Sequence, residues 1–230
     1  MQQYAFVKMR RPDTAPGQRH KRSTAYSNRF WENASTVRFS FTQDLSDDLK
    51  YRIERVIRQW EPFVSLTFEL AEAWEGQIRI ALYGSENYSA IGTQALEFDR
   101  DEATLVLEMD PSNPMFEATL LHEFGHALGF HHAHLHPDAN IPWDKEAVYK
   151  YYREDSQWTE EDVELNVFSF EQGNTVFLGE YDPLSVMHYA VPNFMTRGDF
   201  QISNNMIISE GDKQLARRCY PAIDYRAGAI

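Results

Sequence analysis

The sequence predicts an α+β fold in which helices pack on a sheet in the first half and loops dominate the second half. Three observations lead to this prediction. The 230 residues are 43% hydrophobic and 25% charged, which is typical of a globular protein with one large domain. Short strand-like runs alternate with two helical stretches up to about residue 130, whereas residues 137–184 show only short helical pieces. No window approaches 18 consecutive apolar residues, so we expect no membrane-spanning helix.

Four stretches of the first half are predicted to be strands. In the first, Val37, Phe39 and Phe41 alternate with polar residues, which is the pattern of a strand with one buried face. The others are apolar runs bounded by polar residues, and they cover residues 65–70, 77–82 and 103–109. These strands are sufficient for one sheet on which helices can pack.

Helix boundaries are marked by capping residues. Ser46, which two aspartates follow, begins a helix that Pro62 ends. A second helix is predicted from about Pro114 to Phe130. In the second half, helices are predicted after Asp144, over the capping box of Thr159 and Asp162, and from the capping box of Ser209 and Asp212 to Cys219.

The charge of the chain is unevenly distributed. The formal net charge is −13, yet the first 30 residues hold seven basic side chains and one acidic side chain. An acidic body repels phosphate backbones, so we do not expect nucleic acid as the main partner. The basic start could contact nucleic acid or anionic lipid, or it could be a solvated tail. It has no apolar core of the Sec signal-peptide type, and we leave the compartment open.

The residues HEFGHALGFHH at 122–132 carry the clearest chemistry. His122 and His126 are four apart on the predicted helix, so they lie on one face and can bind the same metal ion. Glu123 can reach a metal-bound water without being a ligand. Gly129 lets the chain turn, and the turn brings His132 back as a third ligand. Three nitrogen ligands leave an open position, which is typical of a catalytic zinc site.

The full pattern H-E-x-x-H-x-x-G-x-x-H resembles that of the metzincin zinc metalloproteases. The residues SVMHY at 185–189 resemble the Met-turn of that group, and the tyrosine two residues after the methionine is similar to that of the astacin and serralysin branches. The segments SAIGTQAL, IPWDKEAVYKYY, EYDPLSVMHY and EGDKQLARRCYP resemble the bacterial astacin-like proteases. The likeness covers about residues 30–221.

This resemblance implies a zinc-dependent endopeptidase with one catalytic Zn²⁺ ion. It implies the metzincin-type zincin fold, a twisted mixed five-stranded sheet with the zinc helix above an irregular lower lobe that holds the Met-turn and a C-terminal helix. Glu123 would be the general base, Met187 the floor of the site, and Tyr189 either a loose fifth ligand or an oxyanion donor. Protein or peptide substrates would bind in extended form along an edge strand near residues 103–109.

The resemblance also divides the chain. We expect residues 1–28 to be a flexible basic arm and residues 29–225 to be the catalytic domain, with the upper lobe extending to about residue 132. We expect a monomer.

Three features depart from the family pattern. A single cysteine, Cys219, excludes the two disulfides of animal astacins. Ala133 stands where astacins usually carry the glutamate that anchors the mature N-terminal amine. The prosegment aspartate motif of astacins is not found before residue 30. We therefore expect that no buried ammonium group is held beside the zinc helix.

Three alternatives stay open from the sequence. The chain could be an interaction protein that works through its basic arm. The chain could be a catalytically silent zinc-binding fold that recognises peptides, although the intact Glu123 and Tyr189 argue against this. His131, His134 and His136 could form a second metal site, but partly exposed loop histidines are the simpler expectation.

Overall fold

The computed structural model of the protein describes residues 29–169 and 179–222. The predicted basic arm, residues 1–28, lies outside the described residues, as do residues 223–225 of the predicted catalytic domain. None of the described helices is long and apolar enough to cross a membrane.

Five strands form one mixed sheet in the order β2-β1-β3-β5-β4. β1, β2, β3 and β5 pair in parallel, and β4 pairs antiparallel with β5. The strands are β1 (Thr36–Phe41), β2 (Thr67–Leu70), β3 (Ile78–Leu82), β4 (Tyr88–Ser89) and β5 (Leu105–Leu107). This confirms the predicted mixed five-stranded sheet.

The predicted edge strand is wrong in its position. Residues 103–109 were expected to form the substrate-binding edge, but β5 lies inside the sheet between β3 and β4. All three of its residues are buried, as expected for a strand with neighbours on both sides. The edge on this side is β4, which is two residues long and therefore too short to show any periodicity in the sequence.

Two helices of the upper lobe pack against each other, and the second of them also packs against strands β4 and β5. Helix α1 (Asp47–Ile57) begins at the Ser46 cap and continues as a 3₁₀-helix over Arg58–Phe63. Helix α2 (Phe116–Ala127) has only buried residues except Glu117, because it crosses the centre of the molecule. The Trp60 indole N–H donates to the Leu121 carbonyl at 3.2 Å and so ties the end of the first helical segment to α2.

The lower lobe is built from short helices with caps. These are α3 (Lys145–Asp155), α4 (Glu160–Val163), which continues as a π-helix over Glu164–Phe168, and α5 (Glu210–Cys219). The predicted caps of all three are present, at Asp144, Thr159 and Ser209. A small second core holds α3 and α4 together through Val148, Tyr152, Trp158, Val163, Val167 and Met195. By contrast, the main core includes Ala216 of α5 and Tyr220 just after it, so this helix joins the two lobes.

Candidate active site and metal centre

Helix α2 brings the first two histidines of the motif to one buried face. His122 and His126 are one turn apart, and their ring centroids are 4.7 Å apart. The helix ends after Ala127, and Gly129 then adopts a φ of +95°, a backbone conformation that favours glycine. The chain reverses there, and His132 returns to the same face with its ring 4.5 Å from that of His126.

The ligand atoms of the three histidines converge. One nitrogen of each ring lies within 4.8 Å of the other two, and this is the only such group of metal-binding side chains among the described residues. His126 Nε2 and His132 Nε2 are 2.9 Å apart. Two nitrogens bound to one tetrahedral zinc ion would be about 3.3 Å apart. The spacing of this pair therefore needs little adjustment to accept the ion.

Backbone carbonyls orient two of the rings. His122 Nδ1 lies 2.8 Å from the Val186 oxygen, and His126 Nδ1 lies 2.7 Å from the Phe130 oxygen. A carbonyl only accepts hydrogen bonds, so Nδ1 carries the proton in both rings and Nε2 keeps its lone pair. Protein groups of this kind commonly fix the tautomer of metal-binding histidines. The motif alone did not indicate either carbonyl.

Burial keeps the three histidines neutral. It lowers the pKa of His122 to about 4, and it lowers the pKa values of His126 and His132 well below their usual range. The mutual repulsion of the charged forms lowers the pKa values of His126 and His132 further. Neutral imidazole is the form that binds a metal ion.

Glu123 is a buried carboxyl with both oxygens unpaired among the described residues. Burial raises its pKa well above the usual range. A buried polar group without a partner is unfavourable, and His122 Nε2 is in the same condition. A divalent cation with its water would satisfy both groups. The residues present therefore fit a zinc ion by their chemistry as well as by their spacing.

The Met-turn lies directly below α2. A Cβ atom added to Gly125 would come within 2.3 Å of Met187 Sδ, so only glycine allows the helix to pack this closely on the methionine. The Ala133 N–H donates to the Met187 carbonyl at 2.9 Å and joins the turn to the loop that carries His132. Met187 is 1% exposed and lies where a floor of the site was predicted.

Tyr189 lies beside the ligands. Its ring centroid is 4.2 Å from that of His132 and 4.4 Å from that of His134, on which it stacks. The structure thus brings together four of the five residues predicted for the site, Tyr189, His122, His126 and His132. The fifth, Glu123, is buried next to His122 in the same helix. A small pocket beside them is lined in part by Thr119, Asn205 and His188.

One of the three histidines next to the site is more buried than the sequence led us to expect. His134 was expected to be partly exposed, but it is buried, because its ring packs on Tyr189 and its Nε2–H donates to the Asn166 carbonyl at 2.9 Å. His131 and His136 are partly buried. The described ranges contain no second group of converging metal-binding side chains.

Comparisons with known proteins bear on this site. The chain matches the model of the astacin peptidase family over residues 23–208. It is similar to the zinc metalloproteinase nas-39 of Caenorhabditis elegans, with 25% identity over 229 residues. That match covers 93% of this chain and 23% of nas-39, so the chain spans less than a quarter of that relative's length.

Solved structures give a similar result. One structure of myroilysin, a bacterial astacin-like metalloprotease, matches with a TM-score of 0.79 and 33% identity, over 85% of this chain and 97% of that chain. A second myroilysin structure matches with a TM-score of 0.65 and 31% identity, over 93% of this chain and 100% of that chain. The hatching enzyme zinc-protease HCE-1 of the medaka fish Oryzias latipes shares the fold, with a TM-score of 0.56 and 19% identity over 84% of this chain and 95% of that chain. These likenesses confirm the predicted metzincin-type fold.

Proposed function

Because the chain belongs to the astacin family of peptidases, we propose that it is a zinc-dependent endopeptidase that cleaves protein or peptide substrates. The observation that carries this proposal is the convergence of three buried histidines, together with the buried, unpaired Glu123 carboxyl that follows the first of them in the chain. A zinc-binding fold without hydrolytic activity would have no use for an acidic group in this place. The silent alternative is therefore not favoured.

The proposed mechanism assigns one role to each side chain. His122, His126 and His132 hold one zinc ion. When bound, zinc lowers the pKa of a water molecule towards neutrality and polarises the scissile carbonyl. Glu123 accepts the proton of the attacking water and then donates it to the leaving amine.

Tyr189 is the proposed donor to the developing oxyanion. Its ring lies next to that of the metal ligand His132. A phenol can donate one hydrogen bond to a carbonyl oxygen as negative charge accumulates there. The benefit would arise in the transition state and not in substrate binding.

Substrates bind as extended chains in this proposal. The edge of the sheet that contacts the zinc helix is β4, and an added strand can pair with its outer side through main-chain hydrogen bonds. Such pairing recognises the backbone, so it is compatible with many sequences. The acidic body of the protein disfavours nucleic acid as a partner, and a monomer is sufficient because one chain supplies the whole site.

The decisive test compares the wild type with Glu123→Ala on a mixed peptide library, with metal analysis of both proteins. We expect the wild type to contain one zinc ion, to cleave internal bonds, and to lose activity on chelation and regain it when zinc is restored. Glu123→Ala should keep its zinc and lose nearly all activity, because it lacks the group that moves the proton.

Other results would contradict the proposal in distinct ways. Turnover retained in Glu123→Ala would remove Glu123 as the base. A wild type that binds zinc but cleaves no peptide would favour the silent alternative, and a wild type that binds no zinc would overturn the proposed site itself.

A further inference from the structure

We propose that Asp212 is a positioning residue that fixes the Met-turn and, through it, the metal-binding orientation of His122. This inference rests on the proposed zinc site. Asp212 lies in the first turn of α5, far from the histidines in sequence, and nothing in the sequence motif points to it.

The Asp212 carboxylate is buried and has three donors. It is 4% exposed. Its Oδ2 accepts the Val186 N–H at 2.8 Å and the Ser209 N–H at 2.9 Å, and its Oδ1 accepts the Ser185 hydroxyl. Hydrogen bonds to a charged acceptor are about twice as strong as neutral ones. The start of a helix further favours a negative charge in this position.

Val186 is the link from this carboxylate to the metal ligand. Its N–H is held by Asp212, while its carbonyl accepts the proton on His122 Nδ1 at 2.8 Å. The Val186 backbone is thus fixed on one side by the carboxylate and on the other by the imidazole. If Val186 moved, His122 would lose the contact that selects its tautomer and aims Nε2 at the metal.

Ser185 strengthens the same connection. Its hydroxyl donates to Asp212 and accepts the Met187 N–H at 3.0 Å. One buried carboxylate therefore orders three successive residues of the turn, two of them through its own hydrogen bonds and Met187 through Ser185.

A second carboxylate at the same helix end offers a matched control. Asp182 accepts the Ser209 hydroxyl at 2.6 Å and the Leu184 N–H at 2.8 Å. It packs against Gly211, where an added Cβ would lie 2.3 Å from its Oδ2. Its side chain makes no hydrogen bond with Val186, so it should support α5 without orienting His122.

The experiment uses three variants of the full chain: Asp212→Ala, Asp212→Asn and Asp182→Ala. The measurements are zinc affinity by competition with a chelator, and the visible absorption spectrum of the cobalt-substituted protein, which reports the ligand geometry. Unfolding in urea separates stability from metal binding.

We expect Asp212→Ala to weaken zinc binding about 10-fold or more and to alter the cobalt spectrum, in line with the effect of losing a group that supports a ligand. Asp212→Asn should restore most of the affinity. Its amide oxygen can accept both N–H groups while its NH₂ donates to the Ser185 hydroxyl oxygen, so the geometry survives without the charge. Asp182→Ala should lower stability but leave zinc affinity and the spectrum near those of the wild type.

Each contrary result has a defined meaning. Unchanged zinc affinity and spectrum in a folded Asp212→Ala, equal weakening in Asp182→Ala, or no recovery in Asp212→Asn would overturn the positioning role. If Asp212→Ala does not fold, the test is hydrogen exchange of the Val186 amide, measured in the wild type and in Asp212→Asn. Strong protection of this amide in both proteins supports the link. Rapid exchange of this amide in the folded wild type overturns it. A wild type that binds no zinc would instead count against the proposed function.

Discussion

Gly125 is the residue that allows the zinc helix to lie directly over Met187. Glycine inside a helix ordinarily lowers stability by about 0.5–1 kcal/mol relative to alanine. Here an alanine methyl would meet Met187 Sδ at 2.3 Å and the Trp60 ring at 3.3 Å, and both side chains are buried. The steric clash of an alanine methyl at position 125 would therefore lower stability by more than the higher helix propensity of alanine raises it.

We expect Gly125→Ala to lower the free energy of unfolding by about 1–3 kcal/mol, the usual effect of overpacking a core. Urea unfolding measures it. Gly179→Ala is the control, because a Cβ added at Gly179 has no neighbour within 4 Å among the described residues, and it should be close to neutral. A Gly125→Ala protein as stable as the wild type would show that Met187 can move away and that the close packing is not required.

Tyr189 permits a prediction that separates turnover from binding. A hydroxyl that acts only on the developing oxyanion should affect kcat and leave KM nearly unchanged. We expect Tyr189→Phe to lower kcat by about 10- to 1000-fold. Steady-state kinetics on one peptide measures both constants, with zinc content as a check on the site.

Tyr181→Phe provides the control for Tyr189→Phe. Its hydroxyl lies 3.0 Å from His188 Nε2 and makes no hydrogen bond to any of the three metal-binding histidines. It should therefore change kcat little. A change that is mainly in KM for Tyr189→Phe, or no change, would remove the proposed oxyanion role.

At the scale of elements, both ends of the described chain meet the C-terminal end of the zinc helix. The Trp31 indole N–H donates to the Ala127 carbonyl at 2.8 Å, and the Tyr220 hydroxyl donates to the Leu128 carbonyl at 2.6 Å. The same hydroxyl accepts the Trp31 N–H at 3.2 Å. Side chains thus satisfy carbonyls that the helix end would leave unpaired, immediately after the proposed ligand His126.

We expect Tyr220→Phe to lower the free energy of unfolding by about 2 kcal/mol, because a buried carbonyl and a buried N–H would lose their shared partner. Thermal or urea unfolding of the metal-free protein tests this. Tyr51→Phe is the control, since Tyr51 is 69% exposed and should tolerate the change. Equal stability of the two variants would show that water replaces the hydroxyl at the helix end.

The elements also show what local pattern could and could not predict. Capping residues located the starts of α1, α3, α4 and α5, because a cap is a local interaction between neighbours in sequence. The position of β5 within the sheet was mistaken, because strand order depends on β4, whose two residues carry no periodic signal.

The same distinction applies to the site. The ligand spacing on α2 is local and could be predicted, whereas the contacts of Val186 with His122 and with Asp212 join segments that are distant in the chain. Long-range hydrogen bonds of this kind leave no pattern in a single sequence. The three histidines that could hold a metal ion were therefore accessible from the motif, and the groups that orient them were not.

For the molecule as a whole, the segment at residues 29–31 is the link between the N-terminal arm and the zinc helix. The Arg29 carbonyl accepts the Thr93 N–H at 2.8 Å, and the Arg29 guanidinium pairs with Glu97. Trp31 is 5% exposed and contacts the helix end. The stability of the domain should therefore depend on this segment.

We predict that N-termini placed anywhere between residues 2 and 29 give similar activity, zinc content and stability. Ala133 offers no carboxylate to a chain-terminal ammonium group, and burying an unpaired ammonium there would be strongly unfavourable. Any influence of the basic arm on the acidic body should be electrostatic and should weaken as salt is added. A chain that begins at residue 32, in contrast, should be about 3–5 kcal/mol less stable, since it lacks the buried Trp31 ring.

A ladder of truncations assayed at low and high salt tests both parts of this prediction. Stability that falls only when residues 29–31 are removed would agree with their contacts at the helix end. A sharp, salt-insensitive rise in activity at one N-terminus between residues 2 and 29 would contradict it. Such a rise would mean that a defined terminal group acts on the zinc-helix loop even though Ala133 carries no charge.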